Sequence, residues 1–235
     1  MKNRENILEE ISRAPSGALI MTGKLYREKY ASVMSEAAFA QAISRLYRSG
    51  EIERVAKGIY CRPKKTRFGT VLPSESEIVD LFTAGSNGVV VGYGLYNELG
   101  VTTQVSKRRT AYSSIPEEQL KQIGNVVIQR YELNYTPEVK SVIRMMELLH
   151  HYKEIQDVDL SALLHVAERF AGEYSEQAFD TVQKAIGYPK WTVAFLREVL
   201  NYHRTPNHLG KYLSALTTYP IPKMEDLYAT ARERN

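Results

Sequence analysis

The side chains Ala37, Ala38, Gln41, Ser44, Arg45 and Arg48 could read base pairs if they shared one face of a helix. They lie opposite Phe39, Ile43 and Leu46, whose i, i+4, i+7 spacing marks a buried stripe. Glutamine pairs bidentately with adenine, arginine with guanine, and an alanine methyl can touch the methyl of thymine. Small residues at the helix start would let it sit deep in a major groove, and Arg45 and Arg48 can also reach phosphates. After Glu36 this face carries no acidic residue. Ser35, the expected N-cap, belongs with the set. The alternative for the same face is a solvated surface on a module that docks proteins.

Basic residues follow closely. Arg54, Lys57 and Arg62 surround the turn Ala56-Lys57-Gly58, which puts Lys57 at a hairpin tip suited to a phosphate backbone or a minor groove. Arg54 has a second reading, a salt bridge that ties hairpin to helix. In the run Lys64-Lys65-Thr66-Arg67, Lys64 and Lys65 are further candidates for phosphate contact.

Other chemistry finds less support. Gly92-Tyr93-Gly94 follows a strand-like run, but Asn97 occupies the third glycine position of a dinucleotide fingerprint. His150, His151, His165, His203 and His208 lack the spacing of a zinc site, so no metal and no cofactor is expected. Cys61, the single cysteine, falls in the hairpin, far in sequence from any histidine base. No acidic residues precede a Glu-x-Lys on a strand, as a metal-dependent nuclease would want. The 16 tyrosines sit mostly among aliphatics, where ring packing with a polar edge is the expected role. Catalysis is not expected.

The elements that must position the basic set can be read from periodicity. Asn6 to Ile11 predicts an amphipathic helix, stopped by Pro15-Ser16-Gly17. Thr22 is placed to cap a second helix, Gly23 to Lys29, and Ser35 a third that ends at Gly50. Beyond Gly50 the period falls to two, through Ile52 and Arg54 and then Ile59 and Cys61. Three helices and a hairpin are the element order of a winged helix-turn-helix, expected over residues 1–66. Residues 67–235 are expected to form a second, α+β domain, mixed α/β over 67–135 and mainly helical over 136–235. There a capping box at Ser74-Glu75-Ser76-Glu77 opens a helix. Val89 to Val91, Arg109 to Ser113 and Val126 to Tyr131 read as strands, and Tyr93 to Leu99 as a short helix. Apolar stripes through Val142, Ile143, Met146 and Leu149, through Leu163, Ala167 and Phe170, and through Val193, Leu196 and Leu200 predict helices.

Charge follows the same division. Residues 1–67 hold about 14 lysines and arginines against about 7 acidic residues, roughly +7, whereas the whole chain is +4. A basic head on a mildly acidic remainder is the footprint of a nucleic-acid-binding module. No run approaches the ~18–20 apolar residues of a membrane helix, and Met1 to Asn6 opens no signal-peptide core. With one cysteine, a cytoplasmic setting is expected.

The segment Ile43 to Tyr60 also resembles the head of AbiEi-type antitoxins, the transcriptional regulators of AbiE abortive-infection (type IV toxin–antitoxin) systems. That family shows a helix ending in RL…G, then I-x-R, then GIY and a proline. The likeness extends through Phe68-Gly69 and Pro73-Ser74 to Gly94-Leu95-Tyr96-Asn97-Glu98-Leu99-Gly100-Val101-Thr102-Thr103-Gln104, where Tyr96 replaces the family's usual alanine. It covers about residues 5–130. The resemblance implies an autorepressor that binds inverted repeats in its own promoter, hence two copies on one operator. It also implies a nucleotidyltransferase-like toxin as functional partner, with direct contact left open, and a C-terminal region that counteracts that toxin. Two alternatives remain: a stand-alone winged-helix regulator with a ligand-sensing C-terminal domain, and a nucleic-acid-processing enzyme with a winged-helix head.

Overall fold

Helix α1 (Lys2–Arg13) places Ile7 and Ile11 one turn apart, and both are buried. Their partners include Phe39, Ile43 and Leu46 of α3 (Glu36–Arg48), with Tyr30 and Ile52 closing the same core. The ends of α3 are set by local chemistry. Ser35 is extended, and its Oγ accepts a hydrogen bond from the Ala38 amide at 3.3 Å. At the other end Gly50 takes a left-handed φ of +71°, while Glu51 N–H bonds Leu46 O and Gly50 N–H bonds Tyr47 O. That pair of bonds is a Schellman motif. The computed structural model describes residues 2–234, with side chains from Asn6 to Glu233. The expectation that Met1 to Asn6 opens no signal-peptide core rests, up to Glu5, on residues outside the described side chains.

Between α1 and α3 the chain departs from expectation. Leu19–Met21 forms a strand, β1, that pairs antiparallel with β3 (Ile59–Cys61). With β2 (Glu53–Ala56) on its other edge, β3 is the centre of a three-stranded sheet in the order β1-β3-β2. Thr22 does not cap the next helix; it begins α2 (Thr22–Leu25), which continues as a π-helical turn over Tyr26–Tyr30. Its hydroxyl and amide both donate to Gly58 O, at 3.1 and 3.0 Å, and so tie the helix start to the β2–β3 turn.

The run after Pro63 does not close the unit. Lys64–Thr66 (β4) and Gly69–Val71 (β5) form a separate exposed hairpin, and α4 (Glu75–Thr83) follows. Its capping box is in place: Ser74 Oγ accepts from Glu77 N–H at 3.3 Å, and Glu77 Oε2 accepts from Ser74 N–H at 2.7 Å. The chain divides into compact units at Met1–Leu81 and Phe82–Asn235, later than the expected boundary after Thr66, because the second hairpin and most of α4 lie with the first unit.

In the second unit β6 (Gly88–Val91), β7 (Arg109–Ser113), β8 (Leu120–Ile123) and β9 (Val126–Arg130) form a sheet in the order β6-β7-β9-β8. Only the β7–β9 pair among these is parallel. The short helix α5 (Tyr93–Glu98) lies between β6 and β7 in the chain. Helices α6 (Pro137–His151), α7 (Leu160–Gly172), α8 (Glu176–Ile186), α9 (Lys190–Tyr202) and α10 (Met224–Arg234) complete the unit. The expected stripes on α6, α7 and α9 are buried throughout. The protein is α+β. Among the described residues no helix is long and apolar enough to cross a membrane.

Arg62 follows β3, and its guanidinium donates to Ser12 O at 2.9 Å and Ala14 O at 2.7 Å, the unpaired carbonyls at the end of α1. Arg62→Ala should lower stability by about 1–3 kcal/mol, the usual loss when charge-assisted bonds to partly buried carbonyls are removed. Urea unfolding followed by circular dichroism would check this.

Candidate nucleic-acid interface

Helix α3 buries Phe39, Ala42, Ile43 and Leu46, which obliges the opposite side to face outward. Along that side run Ala37, Gln41, Ser44 and Arg48 at i, i+4, i+7 and i+11, with Ala38 and Arg45 one step around the helix. All are exposed except Ser44, which is half-buried. Ser35, also exposed, directs an oxygen lone pair to the Ala38 amide and keeps its hydroxyl proton available for another acceptor.

Among the described residues neither Arg45, Arg48 nor Arg54 is paired with a carboxylate. Arg54 therefore does not make the helix–hairpin salt bridge that its position allowed. It stands on the exposed side of β2, with Lys57 in the turn beyond, before Gly58 at φ +73°. The link from helix to sheet is aromatic instead: Tyr47 of α3 meets Tyr60 of β3 edge-on, ring centres 6.1 Å apart.

These residues fall into three groups. The α3 set shares one helix surface, Arg54 and Lys57 share the β2–β3 hairpin, and Lys64 and Lys65 lie in β4 of the separate hairpin. Successive strand residues point to opposite faces, so Lys64 and Lys65 leave this exposed hairpin on opposite sides. Arg62, expected beside Lys57, is committed to the end of α1. Sequence reading also passed over the tip of the second hairpin. There Phe68 is 86% exposed, with the Arg67 guanidinium 4.6 Å above its ring.

The remaining motifs have structural roles. Gly92 adopts φ +65° as α5 begins, and a Cβ on Gly94 would come within 3.0 Å of Val90 Cγ1. Asn97 donates to Thr102 O at 2.8 Å and to Gln104 O at 2.9 Å, which fastens the loop after α5. His150 stacks on Trp191 with ring centres 5.0 Å apart, and burial holds its pKa below the ordinary histidine value. No group of three potential metal ligands occurs among the described residues. A second polar cluster, unforeseen from sequence, surrounds the buried Glu147. Its Oε1 accepts hydrogen bonds from Tyr112 at 2.9 Å and from Tyr188 at 2.7 Å.

Residues 6–132 match the model of a family of unknown function, DUF6088, and the chain belongs to that family. No curated protein matches the sequence. The matched region begins within α1 and ends just beyond β9, so helices α6 to α10 lie outside it.

Cys61 is fully buried in β3, and burial pushes its thiol above the ordinary cysteine value. A raised thiol pKa favours the neutral form in the fold, so its contribution to stability holds below the unfolded pKa and is lost as pH rises through the folded one. Ellman's reagent at mildly alkaline pH should react slowly with native protein and fast in urea. Equal rates in the two would contradict this placement of Cys61.

Proposed function

We propose that unit 1 is a winged helix-turn-helix that binds double-stranded DNA, with α3 in the major groove and the β2–β3 hairpin as its wing. The observation that carries this reading is the outward side of α3, where Gln41, Arg45 and Arg48 stand exposed with no carboxylate partner among the described residues. An arginine kept for a structural role would be expected to have found an acceptor, as Arg62 does. The order of three helical segments, a hairpin and an early strand β1 supports the same reading. So does the basic balance of the first 67 residues.

The role follows from the resemblance to AbiEi-type antitoxins. The chain is proposed to repress its own promoter at inverted repeats, with two copies on one operator. The remainder would counteract a nucleotidyltransferase-like toxin encoded beside it. A second reading, a stand-alone regulator that senses a small ligand with unit 2, draws on the cavity beside Glu147.

The test is binding to the chain's own promoter DNA and to a random duplex. Gln41→Ala with Arg45→Ala should remove about 1–3 kcal/mol of discrimination for each lost base contact. If the double variant distinguishes the two duplexes as the parent does, the reading face is misassigned. Lys57→Ala should weaken both complexes and reduce the slope of log affinity against log salt by roughly one. Growth rescue on co-expression with the neighbouring gene's product separates the antitoxin role from simple repression.

A further inference from the structure

We propose that the cavity beside Glu147 in unit 2 binds a small primary ammonium ion. The cavity measures about 260 Å³ and is walled by Tyr93, Tyr96, Tyr112, Gln129, Glu147 and His151 among others. Glu147 and Tyr96 are each 3% exposed, so both are deep in the fold while lining this space. Only Oε1 of Glu147 is satisfied, by the two tyrosine hydroxyls. Its Oε2 has no hydrogen-bond donor among the described residues, and the nearest cationic candidate is His151 Nε2 at 3.8 Å. The Tyr96 hydroxyl likewise makes no hydrogen bond to a described residue, and neither it nor Glu147 Oε2 is sealed from solvent, so both are open to a ligand in the cavity.

The polarity of these groups selects the ligand. His151 stands between two carboxylates, with Nδ1 2.8 Å from Glu154 Oε2 and Nε2 3.8 Å from Glu147 Oε2. The carboxylates of Glu147 and Glu154 thus line one space as two acceptors. A group with several N–H donors and a positive charge answers both. No lysine or arginine lines it, so the local charge opposes an anion. Tyr93 and Tyr96, which also line the space, meet edge-on at 64° with ring centres 5.6 Å apart and add aromatic surface to its wall. The site stands whether or not unit 1 binds DNA.

The probe is n-butylammonium, titrated calorimetrically into the full chain, with tetramethylammonium, 1-butanol and butyrate as comparisons. Butylammonium should bind saturably, tetramethylammonium more weakly because it has no N–H, and the neutral and anionic analogues not at all. Glu147→Gln keeps an acceptor for both tyrosines but turns the Oε2 position into a donor, and should weaken binding at least about tenfold. Glu154→Gln, at an exposed position, removes the second carboxylate and should also weaken binding; it decides the matter if Glu147→Gln fails to fold. No saturable heat up to millimolar probe overturns the proposal. So does equal binding of 1-butanol, or undiminished binding in folded variants.

Discussion

The apolar seam between α1 and α3 determines what the first unit can present. A helix of 13 residues such as α3 is marginal by itself in water, so its stability comes from packing. Ile7 and Ile11 meet Phe39, Ile43 and Leu46 in one core, which leaves Gln41, Arg45 and Arg48 outside. The β2–β3 hairpin is then fixed to this helical frame at both ends of β3. Gly58 O, just before the strand, accepts from Thr22 twice, and Arg62, just after it, bonds the terminal carbonyls of α1. The helix surface and the hairpin tip are thereby held as one object, as the proposed two-part grip on a duplex would require.

A different constraint organises the second unit. Helix α6 buries every residue from Met145 to Leu149, so it is enclosed on all sides there, and Glu147 falls within that stretch. An ionised carboxylate in such a place must be paired or hydrogen-bonded. Tyr112 comes from β7 and Tyr188 from the turn between α8 and α9, and both donate to the same oxygen. Burial, with the carboxylate charge beside them, raises both phenol pKa values and keeps them as donors. The core is thus tied across sheet and helices by polar bonds that leave one carboxylate oxygen over.

What the sequence made legible was local. The Ser35 cap, the Gly50 stop, the stripe through Phe39, Ile43 and Leu46 and the Ser74–Glu77 capping box each lie within a few residues, and each stands as read. Strands β1, β4, β5 and β8 were not read, because three or four residues carry too little alternation to register. For β1 the pairing energy comes from β3, some forty positions on. Thr22 read as a cap because its type and place fit one, yet the carbonyl of Gly58 competes for the hydroxyl. Of the candidate interface, the α3 surface was visible as a pattern. The fate of Arg62 and the cluster around Glu147 were not, since their partners lie between 35 and 50 positions away.

The proposed cavity and the proposed DNA-reading unit differ in where they draw their residues. Tyr93, Tyr96, Tyr112 and Gln129 belong to the segment that matches the family, whereas Glu147 and His151 come from the helical half beyond it. A ligand there would bridge the two portions of the chain inside unit 2. It could change DNA affinity only by binding one state of the protein better than another. Tyr112, a cavity wall, is followed in β7 by Ser113, whose Oγ donates to Phe82 O at 2.7 Å. Phe82 lies in the last turn of α4 and opens unit 2. A cation that tightened Tyr112 against Glu147 would act one residue from this hydrogen bond, within unit 2.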